Sequence, residues 1–256
     1  MNRIRPNTRI RPIRPYWSRT TLVTVFALST LVLLLVATAW LQRSERRLVE
    51  LDPTGPYRLR SNAGPIEVAA GEAAILRYDA SWLLFGPDAG PVNAVGAGEV
   101  DVRCGSRFPC RASSRLELPS TAELEVEASG GDVSVEAFAG RLSVTTAGRS
   151  DVVLGPVGGS VEITTEIGAV HGYGLTADEV EIDTTSGEIE LRFAARPDRL
   201  VVRSGSEPVT IELPDGDYAV SVRSGSSIAI NVGQVSSADS QILVQARGPV
   251  RIDPIR

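Results

Sequence analysis

Lysine is missing from the 256-residue chain; all 26 basic residues are arginine, which fits a GC-rich genome and carries no functional message of its own. One histidine, two cysteines and one methionine are present, and aromatic residues make up 5%. A single imidazole excludes a multi-histidine metal centre, and two thiols leave little material for structural zinc. Few aromatics leave few platforms for stacking sugars. Composition therefore argues against most enzymes.

What is present is unevenly distributed. Residues 1–47 carry nine Arg against one Glu, net +8, and the remainder carries 17 Arg against 30 acids, net −13. A basic end on an acidic body excludes nucleic acid as a partner of the folded face, which would need its positive charge there. Residues 1–19 hold six arginines interleaved with Pro6, Pro12 and Pro15. Proline blocks helix and like charges repel, so a disordered cytoplasmic tail is expected, with a lipid- or nucleic-acid-binding arm as the sharper alternative.

Residues 20–41, TTLVTVFALSTLVLLLVATAWL, contain no charge. At about 1.5 Å per residue a helix of that length spans roughly 33 Å, against about 30 Å for a bilayer core. Tyr16, Trp17 and Trp40 stand where interfacial aromatics belong. Six arginines precede the segment, and Arg43, Arg46 and Arg47 follow it, diluted by Glu45 and Glu50. The positive-inside rule then predicts a single-pass cell-membrane anchor with the N terminus cytoplasmic and the C-terminal domain extracytoplasmic. Ala37-Thr38-Ala39 offers the competing reading, a cleavable signal peptide. Both put the body in an oxidising compartment. There Cys104 and Cys110, five residues apart across GSRFP, are expected to form a disulfide closing a hairpin end. Reduced structural thiols are the next reading.

Residues 42–56 read as a polar linker. Beyond it two-residue alternation dominates and is itself repeated. LEVEASGGDVSV starts at Leu124, LSVTTAGRSDVVL at Leu142, VEITTEIGAVHG at Val161 and VEIDTTSGEIEL at Val180. Shorter copies start at Leu200, Val220 and Ile242, with successive starts 18, 19, 19, 20, 20 and 22 residues apart. In one unit Leu124 and Val126 share a sheet face, Ala128 to Asp132 turn the chain, and Val133 and Val135 repeat the pattern. No unit can bury its apolar face alone, so neighbours must stack. The expectation is an all-β domain of ~20-residue two-strand units, a β-solenoid or a repeated-hairpin sandwich, the regular period favouring the solenoid. Residues 57–118, including the Cys pair, are expected to cap the repeats of 119–256, with Trp82, Leu83, Leu84 and Phe85 as cap core or as an exposed patch.

The run VDVRCGSRFPCRASSRLELPSTAELEVEASGGDVSVEAFAGRLSV resembles the DUF4097 family of adhesin-type bacterial β-strand repeat proteins, whose repeats carry T-x-S-G-D-V-x-V. The best copies are Glu127 to Val133 and Thr184 to Ile189; Arg203-Ser204-Gly205 and Arg223-Ser224-Gly225 keep the turn but lose the acid. The Cys pair ahead of a Leu-Glu-Leu-Pro stretch is similar to actinobacterial members. The resemblance covers residues 57–256 and implies the repeat fold; it implies no chemistry, because the family has no established activity.

A search for chemistry returns little. His171, between Val170 and Gly172, reads as an outward residue without partners. No G-x-S-x-G elbow accompanies it. Turn positions that could line up to roof calcium, Asp132, Asp151, Ala169, Glu188 and Pro208, break at the third rung, and no metal site is expected. Glu125, Glu127, Glu162, Glu179, Glu181, Asp183, Glu188 and Glu190 read as a solvated acidic face rather than a catalytic groove. No catalytic residue, cofactor or metal ligand is assigned. The sequence predicts a non-enzymatic, membrane-anchored extracytoplasmic β-repeat module, adhesin-like or envelope-associated, with a protein or cell-envelope ligand. The alternatives are a polysaccharide-acting β-helix enzyme and an accessory of envelope-stress signalling.

Overall fold

A computed structural model describes residues 19–52, 55–83, 93–94, 98–104 and 110–255. The tail 1–18, with Tyr16 and Trp17, lies outside the described residues, as do the side chains of Trp40 and of Trp82 to Phe85. The chain divides into two units, 1–42 and 43–256. The first holds a 23-residue helix, Arg19–Leu41, whose described apolar side chains, Phe26, Leu31, Leu33 and Leu34 among them, are exposed. Among the described residues no helix is long and apolar enough to cross a membrane.

Among its described residues the second unit is β, arranged as two eleven-stranded sheets, neither of which closes into a barrel. From Leu124 to Leu213 consecutive strands go to alternate sheets, and each pairs in parallel with its counterpart one unit away. One sheet sets Leu124 beside Leu142, Val161, Val180 and Leu200. The other sets Val133 beside Val152, Val170, Ile189 and Val209. The sequence alternation is thus converted into columns: Leu142, Val144, Val152 and Leu154 are 0% exposed, their apolar equivalents no more than 2%, and together they form one continuous apolar layer. Register is fixed because a one-residue slip would turn every one of these side chains into water.

Glycine punctuates the turns where backbones nearly touch. Gly131 has φ +104°, and a Cβ there would lie 2.2 Å from Gly64; at Gly187 it would lie 1.9 Å from the Gly168 carbonyl oxygen. At these two glycines the stacked turns leave no room for a side chain.

Three expectations need correction. Residues 42–56 do not form a plain linker: Gln42–Glu50 is a strand at one sheet edge, with Val49 and, just beyond it, Leu51 packing on the core, since their two-residue spacing supplies the missing apolar face. Tyr57–Ala70 is an ordinary unit rather than a cap, with Tyr57 beside Leu124 and Ile66 beside Val133. Ile75–Leu83, within the stretch expected to cap, runs antiparallel to Cys110–Leu118, and Gln42–Glu50 lies outside it as the edge strand. Third, the last two units exchange places: Leu200 pairs with Ile242, and Ile242 with Val220. Ile242, Val244, Val250 and Ile252 are fully apolar and flanked on both sides, whereas the serine-rich unit 217–230 takes the exposed end, where Ile228 stays 46% exposed.

Candidate binding surface

Outward residues line up across strands as the inward ones do. On the first sheet one row reads Arg58, Glu125, Ser143, Glu162, Glu181, Val201, Leu243. Two residues along, the next reads Arg60, Glu127, Thr145, Thr164, Asp183, Arg203, Gln245, Arg223. The eight acids singled out by sequence are therefore divided. Glu125, Glu127, Glu162, Glu179, Glu181 and Asp183 belong to this sheet, while Glu188 sits in a turn leading to Glu190 on the other.

Several acids are neutralised sideways. Arg58 pairs with Glu125 at 2.5 Å, and Arg60 reaches Glu127 at 2.9 Å and Glu99 at 3.1 Å. Arg203 meets Glu181 at 2.5 Å and Asp183 at 3.9 Å. The hydrogen bonds that Arg60 and Arg203 donate to Glu127 and Glu181 hold both guanidiniums above their usual range. Pairs this exposed organise the surface more than they stabilise it.

The turn carboxylates have a local structural use. Asp132, Asp151, Ala169, Glu188 and Pro208 do stack, each backbone bonded to the next rung. The Asp132 Oδ1 accepts the Asp151 N–H at 3.0 Å, and the Asp151 Oδ1 accepts the Ala169 N–H at 2.8 Å. Among the described residues no group of three or more His, Cys, Asp or Glu converges to hold a metal ion.

His171 lies on the outer face of the other sheet, beside Val153 and Glu190, but it has company. Its ring stacks on Tyr173 with centroids 6.3 Å apart and planes 3° from parallel, and its Nδ1 is 3.5 Å from Glu190. That separation is outside hydrogen-bonding geometry, and Nδ1 is buried without a hydrogen-bond partner. Tyr173 donates to the same carboxylate at 3.3 Å; desolvation and Glu190 raise its pKa. Sequence alternation supplied the outward direction of His171 but not its neighbours, which follow from stacking.

Cys104 and Cys110 are joined, Cα atoms 5.7 Å apart. Glu99–Val102 and Cys110–Leu118 lie in different sheets, so the bond closes a crossover between sheets and not a hairpin end.

The signal missed by sequence reading is at the far end of the first sheet. Arg203, Arg223 and Arg247, from three adjacent strand-turn segments, line a groove of about 430 Å³ together with Gln245 and Asp183. The repeated Arg-Ser-Gly of 203–205 and 223–225 marked two members; Arg247 enters only because Ile242 stacks between Leu200 and Val220.

No family model matches the chain, so the likeness to DUF4097 stays one of residues. No curated protein matches it either. Solved structures do. One named "putative adhesin", from Parabacteroides merdae, aligns with TM-score 0.52 and 11% identity over 84% of this chain and 97% of its own. Another of that name, from Bacteroides fragilis, gives 0.40 and 12% over 83% and 97%. A "putative lipid binding protein" from Parabacteroides distasonis gives 0.42 and 14% over 84% and 97%. At such identities the first alignment speaks to the fold alone.

Proposed function

We propose that this chain is a non-enzymatic β-repeat module held at the outer face of a cell membrane, where it contacts a protein or envelope ligand through its sheets. The observation that carries the reading is the pair of outward ladders, where titratable groups are spread one or two per rung and paired laterally. Catalysis needs acids and bases converging on one reacting atom; lateral rows suit contact with an extended partner. The stacked parallel units support the solenoid form of the repeat. A likeness in fold to a protein named as an adhesin is in keeping with this role.

The anchor belongs to the same proposal. Residues 20–41 have no charge and no polar face, and Phe26, Leu31, Leu33 and Leu34 are exposed. Leaving such side chains in water forgoes about 1.5–3 kcal/mol each, and lipid removes that cost. Arginine asymmetry then sets the tail inside and residues 42–256 outside.

Protease added to intact, wall-stripped cells tests the topology: residues 43–256 should be degraded while an epitope on residues 1–16 survives. Protection of the body from external protease would overturn the orientation. Release of reducing ends from envelope polysaccharide by the purified chain would overturn the non-enzymatic reading.

A further inference from the structure

On the first sheet Arg58, Arg60 and Arg203 each have a carboxylate beside them. The end formed by the exchanged units differs. Arg203 and Arg223 occupy one rung on either side of Gln245, two strand spacings apart, roughly 9–10 Å. Arg247 follows two residues beyond Gln245, with its backbone N–H bonded to Gly205 and its carbonyl 3.0 Å from where a Gly225 Cβ would stand. Neither flanking turn position carries a side chain to cover it. Among the described residues, Arg223 and Arg247 have neither ion pair nor side-chain hydrogen bond; Arg203 is already engaged by Glu181. Three guanidiniums thus face one lining carboxylate, Asp183, across a groove of about 430 Å³.

We propose that this groove is a binding site for a phosphate group. Arg223 and Arg247 supply paired N–H donors matched to phosphate oxygens, and the Gln245 amide beside Arg223 supplies a third. Two charge-assisted bonds correspond to dissociation constants from roughly millimolar down to tens of micromolar for a lone phosphate, and a ligand repeating the group along a chain would bind more tightly. The site is independent of whether the sheets are adhesive.

The full chain in nonionic detergent is titrated calorimetrically, at low ionic strength, with inorganic phosphate and with soluble dihexanoyl phosphatidylglycerol. Saturable binding of phosphate is expected, weakened at least tenfold by the double variant Arg223→Ala/Arg247→Ala and strengthened by Asp183→Asn, which removes the competing carboxylate. Equal affinities assign the site to the phosphate group itself, and tighter lipid binding lost in the same double variant assigns the source to a lipid headgroup. The variants alter exposed side chains, and an unchanged thermal midpoint verifies folding; Arg247→Lys, which keeps charge but loses the fork, gives an intermediate affinity. No saturation with either probe, or equal binding by wild type and double variant, overturns the site.

Discussion

Hydroxyls and phenols carry consequences that alternation alone does not show. Thr146, Thr165, Thr184 and Ser204 form an inward column, and none of the four hydroxyls has a hydrogen-bond partner. An unpaired buried hydroxyl costs about 1–3 kcal/mol. Thr165→Val, isosteric at a site 2% exposed, should therefore raise stability by about 1 kcal/mol in denaturant unfolding. A destabilised variant would mean the hydroxyl is satisfied in solution. Tyr218 is 0% exposed, donates to the Pro214 carbonyl at 2.6 Å and lies under the Arg196 guanidinium at 4.9 Å. Burial raises its pKa above the usual 10.0, as it does for Tyr57 and Tyr78. Each phenol stays protonated longer in the folded than in the unfolded chain. Their contribution is therefore full below pH 10 and is lost as pH rises through the folded values. Thermal midpoints should fall steeply above pH 10, and Tyr218→Phe should flatten part of that fall. An unchanged alkaline slope would rule Tyr218 out as a contributor.

At the scale of the element, the turns discriminate most sharply. Gly187 stands against the Gly168 carbonyl, and Gly168 against that of Ser150, so one methyl group must push a whole rung. Gly187→Ala should cost about 1–3 kcal/mol, the range for overpacking, and lower the thermal midpoint by several degrees in a domain of this size. Gly148, with φ +73° but nothing within 4 Å, tests strain without crowding. Gly148→Ala should cost less than Gly187→Ala, and the reverse order would show that backbone strain outweighs contact. The turns were readable in sequence as Gly-Ser-Asp clusters. Which glycines are crowded was not, because crowding comes from the neighbouring rung.

The whole β unit has unequal ends. At one end Gln42–Glu50 flanks the antiparallel strand Ile75–Leu83, while at the other the segment 217–235 leaves Ile228 46% and Val235 40% exposed. Protection against hydrogen exchange tracks buried apolar contact. Amides of Ala219–Ser224 and Ile228–Ile230 should exchange at least tenfold faster than those of Val161–Thr165, whose strand is paired on both sides. Comparable protection at both places would show that something covers the open end in solution.

The sequence by itself determined which residues face inward, the unit length and the register of five consecutive units, Leu124 to Leu200. A two-residue alternation with one buried face excludes a one-residue slip, and turns recurring at a near-constant spacing exclude a two-residue one. It also determined that Asp132, Asp151, Ala169, Glu188 and Pro208 are equivalent positions. Tertiary structure alone decided the exchange of the last two units, the use of Gln42–Glu50 as a strand and the gathering of Arg203, Arg223 and Arg247. The physical reason is that each unit carries the same local pattern, so its place in the stack depends on how well both its flanks can be covered. A unit with fully apolar flanks gains by moving inward. A serine-rich one loses least at the end, and that choice requires the whole stack to be present.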